Sequence, residues 1–204
     1  MKPAPKKRGR PRAFDDAVVL DRAIDTFLEH GYSGASLDAL TTAMGVNKPS
    51  LYGAFGDKRR LFLRAVETLA ARVGRRIHTA FQRGDTLEGS LREVFLEAVE
   101  IYLGGPSPPG CLVVSGTTTE ALADEGLGEF SREFYARADH VVAKWIRERR
   151  PAGRDDTGVS SLLLSRLVNG VIHDIALRAR VGQSRAELRD HARGAAMALS
   201  RAAT

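Results

Sequence analysis

Apolar side chains recur along most of the chain every three to four residues, and no stretch keeps the strict alternation of a half-buried strand. Val18, Val19, Ala23, Phe27 and Leu28 make a first stripe. Asp15, Asp16 and Asp21 lie toward the positive end of that helix, and Gly31 stops it. Ser36 is placed to cap a short helix, LDALTTAM, with Asp38 in its first turn and Gly45 at its end. Val46 and Asn47 form a tight turn. KPSLYGAF then starts a second short helix with Pro49 in the first turn, where the missing N–H costs nothing. Gly56 and Asp57 break the chain again, and a long amphipathic helix is predicted from Lys58 to about Arg83.

The pattern predicts further helices over 86–104, 111–124, 127–149, 157–181 and 184–202. Loops fall at GGPSPPG (104–110) and RPAGRDD (150–156), where proline and glycine cluster. The fold class is therefore all-α: a short N-terminal three-helix unit followed by a larger C-terminal helical bundle.

Residues 36–55, SLDALTTAMGVNKPSLYGAF, have the layout of a helix-turn-helix: two short helices joined by a turn that begins at a glycine. Leu37, Leu40, Val46, Leu51 and Phe55 suit the core that holds the two helices at a wide angle. Lys48, Ser50, Tyr52 and Gly53 are left on the outer side of the second helix. That small polar face fits a major groove.

Charge sharpens this picture. Of 31 basic residues, Lys2, Lys6, Lys7, Arg8, Arg10 and Arg12 fall in the first twelve positions, where no acid occurs, so the remaining chain is balanced and the net +6 belongs to the tail. KKRGRPR is extended by its proline and glycine. It reads as an arm for the minor groove of A·T-rich DNA through Arg8, Arg10 and Arg12, or else as a solvated tail. Cys111 is the single cysteine, so an intrachain disulfide is excluded and a reducing, cytoplasmic setting is expected. No apolar run approaches the length of a membrane span, and no apolar segment follows the basic start to make a secretory signal. There is no nucleophile elbow, phosphate-binding loop, dinucleotide fingerprint or metal cluster, so neither an enzyme nor a cofactor is expected.

Residues 14–67 resemble the TetR/AcrR family of bacterial transcriptional regulators through FLEHGYSGASLDAL, GVNKPSLYGAF and DKRRLF, which occur in the family's order and spacing. The resemblance implies a flexible basic arm (1–12), a helix-turn-helix DNA-binding domain (13–73) and a ligand-binding, dimerising domain (74–204). It implies a homodimer on a palindromic double-stranded DNA operator, most often a repressor, released by a small apolar or amphipathic inducer. A constitutive or architectural DNA-binding protein of the same fold is the alternative. Ser36, at a position usually held by threonine, caps the second helix and faces phosphate. Lys48, Pro49, Ser50 and Tyr52 belong to the recognition helix, with Tyr52 on phosphate. Lys58 matches the lysine that opens the fourth helix and holds phosphate there. Gly53 departs from the family's frequent histidine, and Arg59 from its glutamate.

For the inducer site, Phe95, Val99 and Tyr102 share one helical face, and Phe134, Val141 and Trp145 share another with Phe130. His140 and His173 are candidate polar points. Cys111, at the start of a predicted helix, is expected to have a lowered thiol pKa. Some relatives that sense electrophiles carry a cysteine in a similar GCL setting, so Cys111 is either a sensor or a small buried residue. Leu163, Leu167, Gly170, Val171, Asp174 and Ala176, with Gly194, Ala195, Ala196, Ala198 and Leu199, are the candidate dimerisation residues on the last two helices.

Overall fold

The computed structural model describes residues 15–104, 111–117, 120, 124–150 and 159–203. The arm with Arg8, Arg10 and Arg12 lies outside the described residues, as do most of the two predicted loops.

Eight α-helices and one π-helical turn make up the described fold. Helix α1 (Asp16–Gly34) starts at the Asp15 carboxylate, which accepts from the Ala17 N–H, and kinks at Gly31. Helix α2 (Leu37–Met44) is capped by Ser36, whose hydroxyl oxygen accepts from the Ala39 N–H at 3.1 Å. It ends at Gly45, whose left-handed φ of 67° turns the chain at a conformation most side chains avoid. Helix α3 (Lys48–Phe55) is capped by Asn47, and α4 (Lys58–Gln82) by Asp57. Helix α5 (Leu87–Leu103) is followed by the π turn Val113–Thr117 and then α6 (Glu125–Arg149), α7 (Ser161–Arg180) and α8 (Arg185–Ala202). A capping box between Ser184 and Glu187 opens α8.

Two apolar cores form. The first holds Val19, Leu20, Ala23, Ile24, Phe27 and Leu28 of α1 against Leu40, Met44, Leu51, Phe55, Leu61 and Phe62. Val18, expected in that stripe, is exposed: the buried positions step from Val19 and Leu20 to Ala23 and Ile24, and Val18 falls one residue outside the arc. The same core takes in Leu112, Val113 and Leu127, so the segment after α5 is part of the N-terminal unit's packing. The second core joins α5 and α8 with α7, α6 and the end of α4. Helix α4 runs unbroken through residue 73 and contributes to both.

The predicted helix 111–124 needs correcting. Its described part carries a π turn where α-helix is expected. A Cβ added at Gly116 would stand 2.8 Å from the Phe62 ring, so the segment approaches α4 more closely than a side chain permits. Among the candidate dimerisation residues, Ala176 and Ala196 are buried in this chain's own core, whereas Leu163 and Leu167 are exposed together with Leu177, Val181 and Met197. An added Cβ at Gly170 or Gly194 meets nothing within 4 Å.

Candidate DNA-contacting surface and internal cavity

Leu51 and Phe55 anchor α3 to the first core, which turns Lys48, Pro49, Tyr52 and Gly53 to the exterior with Ser50 half-buried beside them. Tyr52 is 48% exposed although it is large and aromatic, an arrangement that leaves its ring and hydroxyl free for a partner. The Ser50 N–H is donated to Asn47 Oδ1 at 2.8 Å and fixes the start of the helix. Lys48 Nζ lies 2.7 Å from Asp38 Oδ1, and that hydrogen bond raises its pKa. The pair spans the turn between α2 and α3, so the cation at the head of α3 is partly neutralised. An added Cβ at Gly53 meets nothing within 4 Å, which leaves a gap in the exposed face.

Lys58 is the first residue of α4, as expected. Its ammonium sits 4.7 Å from the centre of the Tyr32 ring and 3.5 Å from the Ser33 carbonyl, against the end of α1. Burial there pushes its pKa down, with Glu120 opposing. The start of α4 is also already served by Asp57, which accepts from the Arg60 N–H at 2.7 Å.

A cavity of about 900 Å³ lies between the two halves. Six of the predicted pocket residues line it: Tyr102, Cys111, Phe134, Val141, Trp145 and His173. Phe95 and Val99 do not. Both are fully buried in the second core, where their neighbours leave no space. His140 is exposed, and its Nδ1 contacts the Ala136 carbonyl at 2.7 Å. Sequence reasoning missed the other wall, made by Ile24 and Leu28 of α1 and by Val66, Leu69, Val73 and Ile77 of α4. The signal available was the run of small residues in α4, because Ala70, Ala71 and Gly74 all border the space.

Polar side chains interrupt the apolar lining: Tyr102, Cys111, Asn169 and His173, with the charged Asp21, Asp25, Glu67, Arg72, Arg76 and Arg137. Burial raises the Cys111 thiol pKa, outweighing the Val113 and Val114 amides and the Tyr102 hydroxyl that hydrogen-bond the sulfur. The expected lowering at a helix start is thus reversed, because desolvation of a thiolate exceeds what nearby dipoles return. The Tyr102 phenol is pushed well up by the same burial. His173 stands edge-on to Tyr135 with ring centres 5.4 Å apart, and burial lowers its pKa while Asp139 acts the other way. Its imidazole is therefore neutral near neutral pH. Asn169 donates to Asp139 Oδ1 at 2.8 Å. Of the lining arginines, Arg72 pairs with Asp21 at 2.5 Å, Arg76 with Glu97 at 2.8 Å and Arg137 with Glu133 at 3.5 Å.

Further ties join the residues preceding α6 to the helix-turn-helix unit. The Ser33 hydroxyl donates to Glu120 at 2.5 Å, and Arg59 lies 3.4 Å from Asp124, the cap of α6. Among the described residues no group of three metal-binding side chains converges, and no helix is long and apolar enough to cross a membrane.

Residues 19–65 match the family described as bacterial regulatory proteins, tetR family. The chain is 26% identical over 181 residues to the HTH-type transcriptional repressor ComR of Escherichia coli (strain K12), covering 88% of this chain and 86% of that protein. It is 27% identical over 143 residues to the HTH-type transcriptional repressor BdcR of the same organism, covering 70% and 71%. Among solved structures, the fold is similar to that of a cysteine mutant of the TetR family transcriptional regulator CifR complexed with 26bp double-strand operator DNA. The TM-score is 0.83 at 29% identity, with 93% of this chain and 99% of that chain covered.

Proposed function

The chain belongs to the TetR family, whose members are DNA-binding transcriptional regulators and not enzymes, and from that premise we propose that it is a ligand-released repressor acting as a homodimer on a palindromic operator. The observation that carries the release step is the composition of the cavity wall. Ile24 and Leu28 of α1 face the same space as Trp145 and His173 of the bundle, so an occupant touches the DNA-binding half directly. A ligand shifts an equilibrium only by its differential contacts with two states. A wall shared by both halves supplies such contacts as soon as α1 moves relative to the bundle.

The repressor assignment is supported by the similarity to the repressors ComR and BdcR, and the operator by the DNA in the CifR complex. In this reading Tyr52 contacts phosphate, with Ser36 nearby, while Lys48 and Ser50 approach base edges from the head of α3. The homodimer is supported by the outward apolar residues Leu163, Leu167, Leu177, Val181 and Met197 on and beside the last two helices. The basic arm adds minor-groove contacts and phosphate neutralisation, so its removal flattens the salt dependence of operator binding. An unchanged slope removes the arm from the interface. The regulator acts in the cytoplasm, where operator DNA is found.

The experiment that tests the proposal recovers the genomic fragments retained by the purified chain and then follows its binding to the enriched site. A palindrome bound by two chains supports it. Uniform recovery of all fragments, or binding by one chain to an asymmetric site, overturns it.

A further inference from the structure

We propose that the cavity takes a neutral, mainly apolar molecule bearing one hydroxyl or carbonyl group, and that His173 is the residue that reads this group. The inference rests on the ligand-released reading above and adds the chemistry of the ligand.

The walls set the apolar part. Ile24, Leu28, Val66, Phe134, Trp145 and Ile172 are among the apolar residues that line a space of about 900 Å³, within the range that holds drug-sized molecules. Burying such walls against a hydrocarbon body favours binding in proportion to the area covered.

The polar groups set the charge and the contact. The lining arginines already face carboxylates: Arg72 faces Asp21, Arg76 faces Glu97 and Arg137 faces Glu133. An anionic ligand must compete with those pairs. Deeper in, the Tyr102 hydroxyl is committed to the Cys111 sulfur and the Asn169 amide to Asp139. His173 lines the cavity, is half-buried, and makes no hydrogen bond with the described residues. Its one ring contact is the edge-on Tyr135. A neutral imidazole offers one donor and one acceptor, which a hydroxyl can satisfy in either sense and a carbonyl as acceptor. Asp139 is the charged group nearest to the ring's environment, and it is already bonded by Arg166 and Asn169. A ligand ammonium therefore finds no free carboxylate beside His173. Asp25 and Glu67 line the cavity elsewhere, on α1 and α4, so the cost of an ion's lost hydration applies to a charge held against His173 itself, and the benzylammonium probe tests those carboxylates.

Four probes with one hydrocarbon body separate the possibilities: para-tert-butylphenol, tert-butylbenzene, para-tert-butylbenzoate and para-tert-butylbenzylammonium. Each competes with Nile red for the full-length chain, read by dye fluorescence. The phenol is expected to displace the dye at roughly tenfold lower concentration than either ion, and about fivefold lower than tert-butylbenzene. His173→Phe should abolish the advantage of the phenol over tert-butylbenzene, and His173→Gln, which keeps a donor and an acceptor, should restore most of it. Melting curves of both variants establish that they are folded. If His173→Phe does not fold, His173→Gln decides alone: displacement of the phenol's preference toward either ion overturns the proposal. Equal or better displacement by benzoate or benzylammonium in the wild type overturns it, as does a phenol advantage that survives His173→Phe, or failure of Nile red to bind. Operator binding in the same samples distinguishes the two claims. Phenol occupancy with an unchanged grip on DNA sinks the release step and leaves the ligand class standing. Release by an ion that outcompetes the phenol does the reverse.

Discussion

The guanidinium of Arg180 donates to the main-chain carbonyl of Leu28 across 3.0 Å, which ties the last turn of α7 to α1. Leu28 also lines the cavity, so one residue receives both the tie and the contact with an occupant. A charged donor on a part-buried carbonyl is among the stronger neutral-acceptor hydrogen bonds.

Arg180→Ala should leave the fold intact, with a loss of about 1 kcal/mol or less because the guanidinium is largely exposed. The ligand-induced drop in operator affinity should shrink, since α1 is then less firmly coupled to the bundle. Anisotropy of labelled operator, with and without ligand, measures this. An unchanged ratio of the two affinities removes the tie from the coupling route.

On the DNA-facing surface, Asp38→Asn releases Lys48 from its carboxylate. Operator affinity should rise about threefold at low salt, with the gain fading as salt screens the charges. Tyr52→Ala should weaken binding to all sequences alike, whereas changes at Lys48 or Ser50 should alter the preferred site. Selection of bound sequences from a random pool reads both effects. A new site preference for Tyr52→Ala with full affinity contradicts the phosphate role.

Gly53→Ala adds a methyl group that meets nothing within 4 Å, at a helical position without positive φ. Alanine in place of glycine in a helix is worth up to about 1 kcal/mol. The urea midpoint should rise with the slope unchanged, and destabilisation would show that α3 needs glycine at this point.

The burial-raised thiol of Cys111 holds less thiolate at neutral pH than a free cysteine. Its reaction with iodoacetamide near neutral pH should be slower than that of glutathione. The rate should go on rising with pH after an ordinary thiol has levelled off. A rate faster than glutathione's would favour an electrophile sensor, which Cys111→Ser would then abolish.

The elements that the sequence specifies best are those fixed by neighbours a few residues away. Ser36, Gly45, Asn47 and Asp57 bound α2, α3 and α4 through caps and turns made within three or four residues, so those limits follow from local chemistry. The π turn is not announced locally: within it Gly116 packs against Phe62, which is remote in the chain. Phe95 and Val99 show the same limit at the cavity. Periodicity marks both as buried, but only their packing decides whether the space beside them is filled. The wall contributed by α1 and α4 depends on how two units meet, and apart from the small residues of α4 nothing local announces it. Lys58 is legible as the first residue of α4, yet its seat over Tyr32 depends on the end of α1.

The central claim is that filling the cavity loosens the hold on DNA. The direct measurement follows two quantities in one titration of the full chain with para-tert-butylphenol: displacement of Nile red, and anisotropy of the labelled operator at fixed salt. The account predicts that operator affinity falls by roughly 10- to 100-fold, the usual range of coupling between two sites, and that it falls in step with occupancy. Saturated occupancy with unchanged operator affinity contradicts it.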